Sequence, residues 1–243
     1  MGFFSSLTSG FKSLVKRVTR TVKSVGRFFS RLAVTLFGFA IGIFDFLLGF
    51  LAWPPKKLRV HIFILSTEKG PLVDPGALTA SVDFATKTFK SGFNVKLRAY
   101  GSMIETIKEP APPKALNVGC GGDAVDQEFS TALNEAGEYF ASHLAGWNGI
   151  PISLKFPVTV FIVSDVEDKG GCSIGPLADY VTVDISADGV GTPSLMAHEI
   201  GHACNLWHSG TKSNLMYADS DRGDGVKWFQ KNLFRSSRHV TYW

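Results

Sequence analysis

Three of the six histidines in the chain fall within one eleven-residue stretch, 198–208, which reads HEIGHACNLWH. His198 and His202 are four residues apart, so on a helix both imidazoles project from the same face, one turn apart. That spacing suits two nitrogen ligands of a single zinc ion. His208 follows six residues after His202, so the chain must turn sharply if His208 is to be the third ligand. The pattern predicts a Zn²⁺ site whose fourth position stays open for water.

Glu199 stands next to the first predicted ligand. A carboxylate there can take a proton from a metal-bound water and later deliver it to a leaving amine. Met216 follows His208 by eight residues, in the segment Asn-Leu-Met-Tyr. A bare His-Glu-x-x-His pattern also occurs in helices whose histidines are only solvated or packed. The third histidine and the methionine segment make that explanation poor, so we expect hydrolysis of peptide bonds.

These motifs resemble the signature of the metzincin metallopeptidases, His-Glu-x-x-His-x-x-Gly-x-x-His followed by a methionine turn. The resemblance implies that the three histidines bind zinc, that Glu199 is the general base, and that Met216 lies in the turn beneath the metal. It covers residues 58–243, about three quarters of the chain. A helix predicted between the second and third strands favours an adamalysin-like layout over the minimal astacin one.

The chain departs from that signature at one position, because Asn205 stands where the family has glycine. The site needs a residue there that can enter the left-handed region, end the helix and bring His208 back. Asparagine is the next-best residue after glycine, at a modest steric cost, so we expect the motif to work. Tyr217 directly follows Met216, which is not where some families of this clan place an extra tyrosine ligand. We therefore assign Tyr217 no catalytic role.

The resemblance also implies an edge strand near residues 170–177 that pairs with an extended peptide substrate. An ordinary loop is the alternative. The substrate-binding residues expected there are Gly171, Cys172, Ser173, Ile174 and Gly175. Cys172 in this strand and Cys204 on the metal helix could then be close enough to form a disulfide, with Cys120 as the free thiol. Three cysteines prove no pairing by themselves.

Strands alternate with helices along residues 58–243, which predicts an α/β fold, and the resemblance implies that it is of the metzincin-like type. We expect a mixed, mostly parallel, twisted sheet backed by helices, together with the active-site helix and the methionine turn. The expected strands are at 58–66, 94–107, 157–166 and 180–185. The expected helices are at 75–90, 123–144, from 192 through the histidines, and 226–235. Asp74 is expected to cap the first of them, with Pro75 at its first position.

The charge of the chain is divided unevenly. Residues 1–59 hold ten Lys or Arg and one acid, a net +9, whereas the remainder holds fifteen and twenty, a net −5. Because the body has no basic stripe, we expect an anionic lipid membrane and no nucleic acid as a partner. Over residues 1–31, apolar positions recur every three or four residues between basic ones, which predicts an amphipathic helix on a membrane surface. A helix docked on another protein is the alternative.

Residues 32–53 carry one charge, Asp45. As a helix they would cover about 33 Å, so we predict a transmembrane helix there, a linker at 54–57 and the peptidase domain at 58–243. A cleaved signal peptide is the alternative, but the apolar run is long and no small-residue cleavage site follows it. The basic residues ahead of the span favour a cytoplasmic N-terminus and an extracytoplasmic body. One helical face could drive self-association; its residues are Gly38, Gly42, Asp45 and Gly49.

The sequence therefore predicts a membrane-anchored zinc endopeptidase that acts on polypeptides. A zinc-stabilised, non-catalytic peptide-binding module on the same fold is an alternative, against which Glu199 argues, since such a module needs no base beside its metal. A membrane-perturbing protein with an attached protease domain is a further alternative.

Overall fold

A seven-stranded sheet forms the centre of the molecule in the computed structural model, which describes residues 42–120, 135–144, 157–167, 169–186 and 189–242. Its five main strands run in the order β3-β1-β5-β8-β7. They are β1 (Lys56–Thr67), β3 (Val95–Pro110), β5 (Val158–Val163), β7 (Gly171–Ser173) and β8 (Tyr180–Asp184). The pairs β1–β3, β1–β5 and β5–β8 are parallel, and β7 is antiparallel to β8. The predicted mixed, mostly parallel sheet is confirmed.

Four short strands complete the pairing. Two of them, β2 (Gly70–Pro71) and β9 (Val240–Thr241), pair antiparallel with β1. The other two, β4 (Asn117–Val118) and β6 (Asp165–Val166), pair with each other in parallel. All six residues of β5 and all five of β8 are buried, as expected for central parallel strands that are covered on both faces.

Six α-helices lie in the described ranges. They are α1 (Ile43–Leu48), α2 (Thr79–Phe93), α3 (Pro113–Leu116), α4 (Glu135–His143), α5 (Pro193–Ala203) and α6 (Trp228–Arg235). A 3-10 turn at Pro75–Leu78 leads into α2, and the Asp74 carboxylate accepts a hydrogen bond of 2.7 Å from Gly76 N, as expected of a cap. The helix predicted at 123–144 is described only from residue 135, where α4 lies.

Helices pack on both faces of the sheet. On one face Phe89 and Phe93 of α2 contact Phe234 of α6, with ring centroids 5.1 and 4.1 Å apart. On the opposite face Phe140 of α4 lies 4.7 Å from Phe161 of β5. Each of these rings is fully buried. Full burial of one such side chain contributes roughly 1.5–3 kcal/mol, so the two apolar layers hold the sheet that positions the site.

The disulfide prediction was wrong. Cys120 is bonded to Cys172, and Cys204 is a buried free thiol. The sheet gives the physical reason. Cys204 packs in the apolar layer beneath α2 and α5, whereas Cys172 and Cys120 pack in the layer on the other face. The bond ties the segment that follows β4 to the edge strand β7.

The end of the predicted transmembrane segment packs against the body. Residues 1–41, including the predicted amphipathic helix and Gly38, lie outside the described residues. From residue 42 onward the chain forms α1, a 3-10 turn at Gly49–Leu51, and Ala52 with a φ of 50°, so no continuous helix reaches Trp53. Within the described ranges, no helix combines the length and the apolar character needed to cross a bilayer.

A buried ion pair holds this segment in place. Lys56 Nζ lies 2.6 Å from one oxygen of Asp45, and Tyr242 Oη donates to the other at 2.8 Å. A Cβ on Gly49 would lie 2.9 Å from the Cα of Asn232 in α6, so the two segments are in close contact. Asp45 therefore has its partner in the body of the same chain. Self-association through the glycine face stays a prediction.

Candidate metal centre and active-site cleft

Helix α5 and the chain after it bring three histidines together. Thr192 precedes the helix and Pro193 occupies its first turn, a position where proline is favoured. His202 Nε2 lies 3.1 Å from His198 Nε2 and 3.1 Å from His208 Nε2. The three ligand atoms all lie within 4.8 Å of one another. The predicted ligand set is thus one cluster that could hold a metal ion.

Main-chain carbonyls fix the orientation of two of the rings. Nδ1 of His198 lies 2.9 Å from the oxygen of Leu215, and Nδ1 of His202 lies 2.8 Å from the oxygen of Leu206. A carbonyl oxygen can only accept, so each Nδ1 carries the ring proton and donates it. In a neutral imidazole the other nitrogen is then an acceptor. The lone pairs of the two Nε2 atoms therefore face each other, and no proton lies between them.

Facing lone pairs repel unless a cation lies between them, and the site fits one. Burial lowers the pKa of His198 to about 3 and that of His202 to about 4, so both rings are neutral at pH 7. Neutral imidazoles are what a metal ion requires. A tetrahedral zinc ion bonded at about 2.0–2.1 Å holds its ligands roughly 3.3 Å apart. The observed separations of 3.1 Å are close to that value.

The turn that brings His208 back depends on Asn205. Its φ is 71°, in the left-handed region that the sequence predicted for this position. Its side-chain amide donates to the carbonyl of Leu233 in α6 at 3.2 Å. Leu206 N then donates to Gly201 O at 2.9 Å, which closes the end of the helix. The same residue that replaces glycine in the signature thus makes the turn and anchors it.

The turn that contains Met216 lies directly beneath α5. Met216 is fully buried, and its main-chain oxygen accepts a bond of 2.7 Å from Ser209 N. Gly201 lies between the two helical histidines, and a Cβ there would come within 2.7 Å of Met216 Sδ. A glycine at that position therefore lets the sulfur pack against the helix, one residue from His202.

A buried amide pair that no sequence pattern predicts holds the turn. Asn214 Nδ2 donates to Gln230 Oε1 at 2.8 Å, and Gln230 Nε2 donates back to Asn214 Oδ1 at 3.1 Å. Asn214 Oδ1 also accepts from Met216 N, and Gln230 Oε1 from Lys227 N. This network connects α6 to the turn that supplies the Leu215 carbonyl.

Glu199 lies in the same cleft as the histidines. Burial raises the pKa of its carboxyl to about 8, although the charges of Arg222 and Lys169 act in the opposite direction. Gly171 of the edge strand comes close to it, since a Cβ at that position would lie 3.0 Å from Glu199 Cγ. A carboxyl with a pKa near neutrality suits a group that both accepts and donates a proton.

The cleft has a volume of about 470 Å³ and lies between β7 and the chain after the methionine turn. Of the five predicted substrate-binding residues, Gly171, Cys172 and Ser173 line it. They form the edge strand that the sequence predicted. Ile174 is instead buried in the apolar layer with α4, and Gly175 begins a 3-10 turn with a φ of 78°.

Two basic residues also line the cleft, Lys169 and Arg222, and neither was predicted. Arg222 belongs to the segment 219–224, in which four of six residues are charged, a composition typical of an exposed loop. No sequence pattern distinguishes the one buried member of such a run. Only the folded chain shows which of these charges points inward.

Comparisons with known proteins give a distant likeness. No family model and no curated protein matches the sequence. Among solved structures, the metalloproteinase-II from Bacteroides fragilis is similar, with a TM-score of 0.48 and 11% sequence identity. The match covers 76% of this chain and 54% of that one, so the chain spans about half the length of that structure. A likeness this distant assigns neither a family nor an activity.

The left-handed turn at Asn205 predicts a difference between two substitutions. Alanine and glycine both lack the amide, but only alanine pays the steric cost of a positive φ. Asn205→Ala should therefore lower the free energy of unfolding by about 1–2 kcal/mol more than Asn205→Gly. Urea denaturation measures the difference. Asn117, with a φ of −119°, is the matched control, where the glycine variant should show no such advantage. Equal stability of the two Asn205 variants would contradict the interpretation.

Proposed function

We propose that this protein is a zinc-dependent endopeptidase of the metzincin type. The observation that carries the proposal is the pair of Nε2 lone pairs, on His198 and His202, that face each other beside a buried Glu199. A structural metal site has no use for a carboxylate of raised pKa in an open cleft. The resemblance to the metzincins supports the assignment to that type through the spacing of the histidines, the turn at Asn205 and the buried Met216.

The roles of the residues follow from their positions. His198, His202 and His208 would hold the ion through Nε2. Zinc would supply Lewis acidity without redox chemistry, and three neutral ligands would leave its charge uncompensated. Glu199 would take the proton of the attacking water and deliver it to the leaving amine. The carbonyls of Leu206 and Leu215 would keep two imidazoles in one tautomer throughout.

The substrate would be an extended polypeptide. In the described residues β7 pairs with β8 on one side, and Gly171 to Ser173 line the cleft. An extended peptide could therefore add to this edge through main-chain hydrogen bonds. Because Gly171 has no side chain, the main chain of β7 and the Glu199 carboxyl lie close together. A peptide bond paired with this strand would thus lie near the proposed base.

Removing the base should strongly reduce cleavage and leave the metal in place. Glu199→Gln keeps the shape of the side chain, so we expect kcat/KM on a peptide library to fall about 10²–10⁴-fold while zinc content is unchanged. Chelation of the wild-type protein should have the same effect, and zinc should reverse it.

The exposed Glu68, in the turn after β1, is the matched control, and Glu68→Gln should cleave like the wild type. A folded, zinc-loaded wild-type protein that cleaves no peptide would contradict the proposal. Peptide binding without cleavage would favour the non-catalytic binding module.

We also propose that the N-terminal arm attaches this body to an anionic membrane. The net charge of +9 over residues 1–59 and the apolar run 32–53 support the proposal. The described chain begins with exposed apolar side chains at Ile43, Leu47 and Leu51. The disulfide favours an oxidising compartment, which agrees with a body outside the cytoplasm and a cytoplasmic N-terminus.

Vesicle flotation of the full chain tests the attachment. We expect it to float with vesicles that contain phosphatidylglycerol and to bind zwitterionic vesicles less, because the arm is basic. A variant with glutamine at the seven basic positions of residues 1–31 should lose the preference. Resistance to alkaline carbonate would indicate a spanning segment, and extraction a surface-bound one. A chain that floats with neither vesicle would overturn the proposal.

A further inference from the structure

Arg222 is a buried cation in the wall of the proposed active-site cleft. Its residue exposure is 9%, and it lines the cleft with His198, Glu199 and the Gly170–Ser173 segment. Such a charge is costly to bury unless it is paired with an acid or hydrogen-bonded on all its donors. The contacts of the guanidinium therefore indicate whether its charge and its hydrogen-bond donors are satisfied within the folded chain.

The guanidinium is only partly satisfied. Nε donates to the Tyr217 carbonyl and Nη2 to the Ala218 carbonyl, both at 2.9 Å. These two bonds hold the chain just after the methionine turn. Nη1 is buried and has no hydrogen-bond partner within the described part of the chain. Two of five N–H donors are thus bonded to carbonyl oxygens, which leave the positive charge uncompensated.

The neighbouring acids do not pair with this charge. Asp221, one residue away, forms its ion pair with Lys212 instead. Asp219 also lines the cleft, but its side chain is exposed, and it hydrogen-bonds the Tyr217 hydroxyl. Among the described residues, the Glu199 carboxyl is the remaining acid that lines the cleft. Its charge favours the guanidinium through space, but no hydrogen bond or ion pair joins it to Arg222 in the described part of the chain.

We propose that Arg222 is a specificity-determining residue, which selects substrates that carry a carboxylate beside the scissile bond. The inference rests on the proposed peptidase function. A planar guanidinium with an unpaired donor matches a carboxylate and forms charge-assisted bonds with it. Lys169 lines the same cleft and adds positive potential, which favours acidic peptides further. The carboxylate could belong to an aspartate or glutamate side chain or to the C-terminus of a peptide.

Matched peptides separate these two sources. One pair differs only by Asp against Asn beside the cleaved bond, and a second pair differs only by a free against an amidated C-terminus. We expect kcat/KM of the zinc-loaded full chain to be about 10- to 100-fold higher for the acidic member of the first pair. A preference confined to the second pair would instead assign Arg222 to the C-terminal carboxylate.

Substitutions of Arg222 then locate the preference. Arg222→Gln should reduce the acidic-to-neutral ratio to about one while neutral peptides are still cleaved, and Arg222→Lys should retain part of the ratio. Arg222→Glu should invert it towards lysine-containing peptides. Lys96→Gln removes an exposed positive charge on β3 and is the control, which should keep the wild-type ratio.

The outcomes distinguish this inference from the proposed function. A wild-type protein that cleaves peptides but shows no ratio above about twofold in either pair would overturn the specificity and leave the peptidase intact. A zinc-loaded wild type that cleaves nothing would refute the peptidase function itself. If Arg222→Gln does not fold, the wild-type ratios and the Arg222→Lys ratio decide the question alone.

Discussion

The proposed metal site depends on two hydrogen bonds from imidazole Nδ1 atoms to main-chain carbonyls. They set the tautomer of His198 and His202 and so aim two lone pairs at one point. Each carbonyl has its own support. Leu206 is held by the left-handed turn at Asn205, and Leu215 donates its N–H to Gly225 O at 2.8 Å. Rigid donors of this kind prepare a site before the metal arrives, which reduces the reorganisation that binding costs.

Those supports connect the site to distant parts of the chain. The amide pair of Asn214 and Gln230, and the bond from Asn205 to Leu233, both lead to α6. Helix α6 contacts α1 in turn, where Asp45 is paired with Lys56. Lys56 Nζ also donates to the Arg235 carbonyl at 2.7 Å. A continuous chain of contacts through one short helix therefore connects the ligands to the place where the N-terminal segment joins the body.

Much of this architecture could be predicted because periodicity and caps are local signals. Continuous apolar runs marked the central strands, and Asp74 with Pro75 marked the start of a helix. The fixed offsets of His198, His202 and His208 predicted their cluster, and Asn205 could be assigned a positive φ because a third ligand required a turn. An edge strand near residues 170–177 was also predicted, although through a family resemblance and not through a pattern of its own, and the structure forms it at Gly171–Ser173.

The features that were not predicted depend on which surfaces the fold brings together. The pairing of Cys120 with Cys172 follows from the face of the sheet on which each cysteine packs, and three cysteines carry no such information. The burial of Arg222 and the Asn214–Gln230 pair likewise depend on contacts that form only in the folded chain. Asp45 shows most clearly what a sequence pattern alone cannot predict. In the sequence it interrupts an apolar run, and in the fold it pairs with Lys56 and Tyr242 of the body.

X-ray absorption on the zinc-loaded full chain tests whether three imidazoles hold one zinc ion. We expect one zinc per chain, three nitrogen ligands at about 2.0–2.1 Å, one oxygen and no sulfur. His208→Ala should reduce the nitrogen ligands to two. Three results would contradict this assignment of the ligands. They are a sulfur ligand on the zinc, an unchanged number of nitrogen ligands after loss of His208, and a folded chain that takes up no zinc.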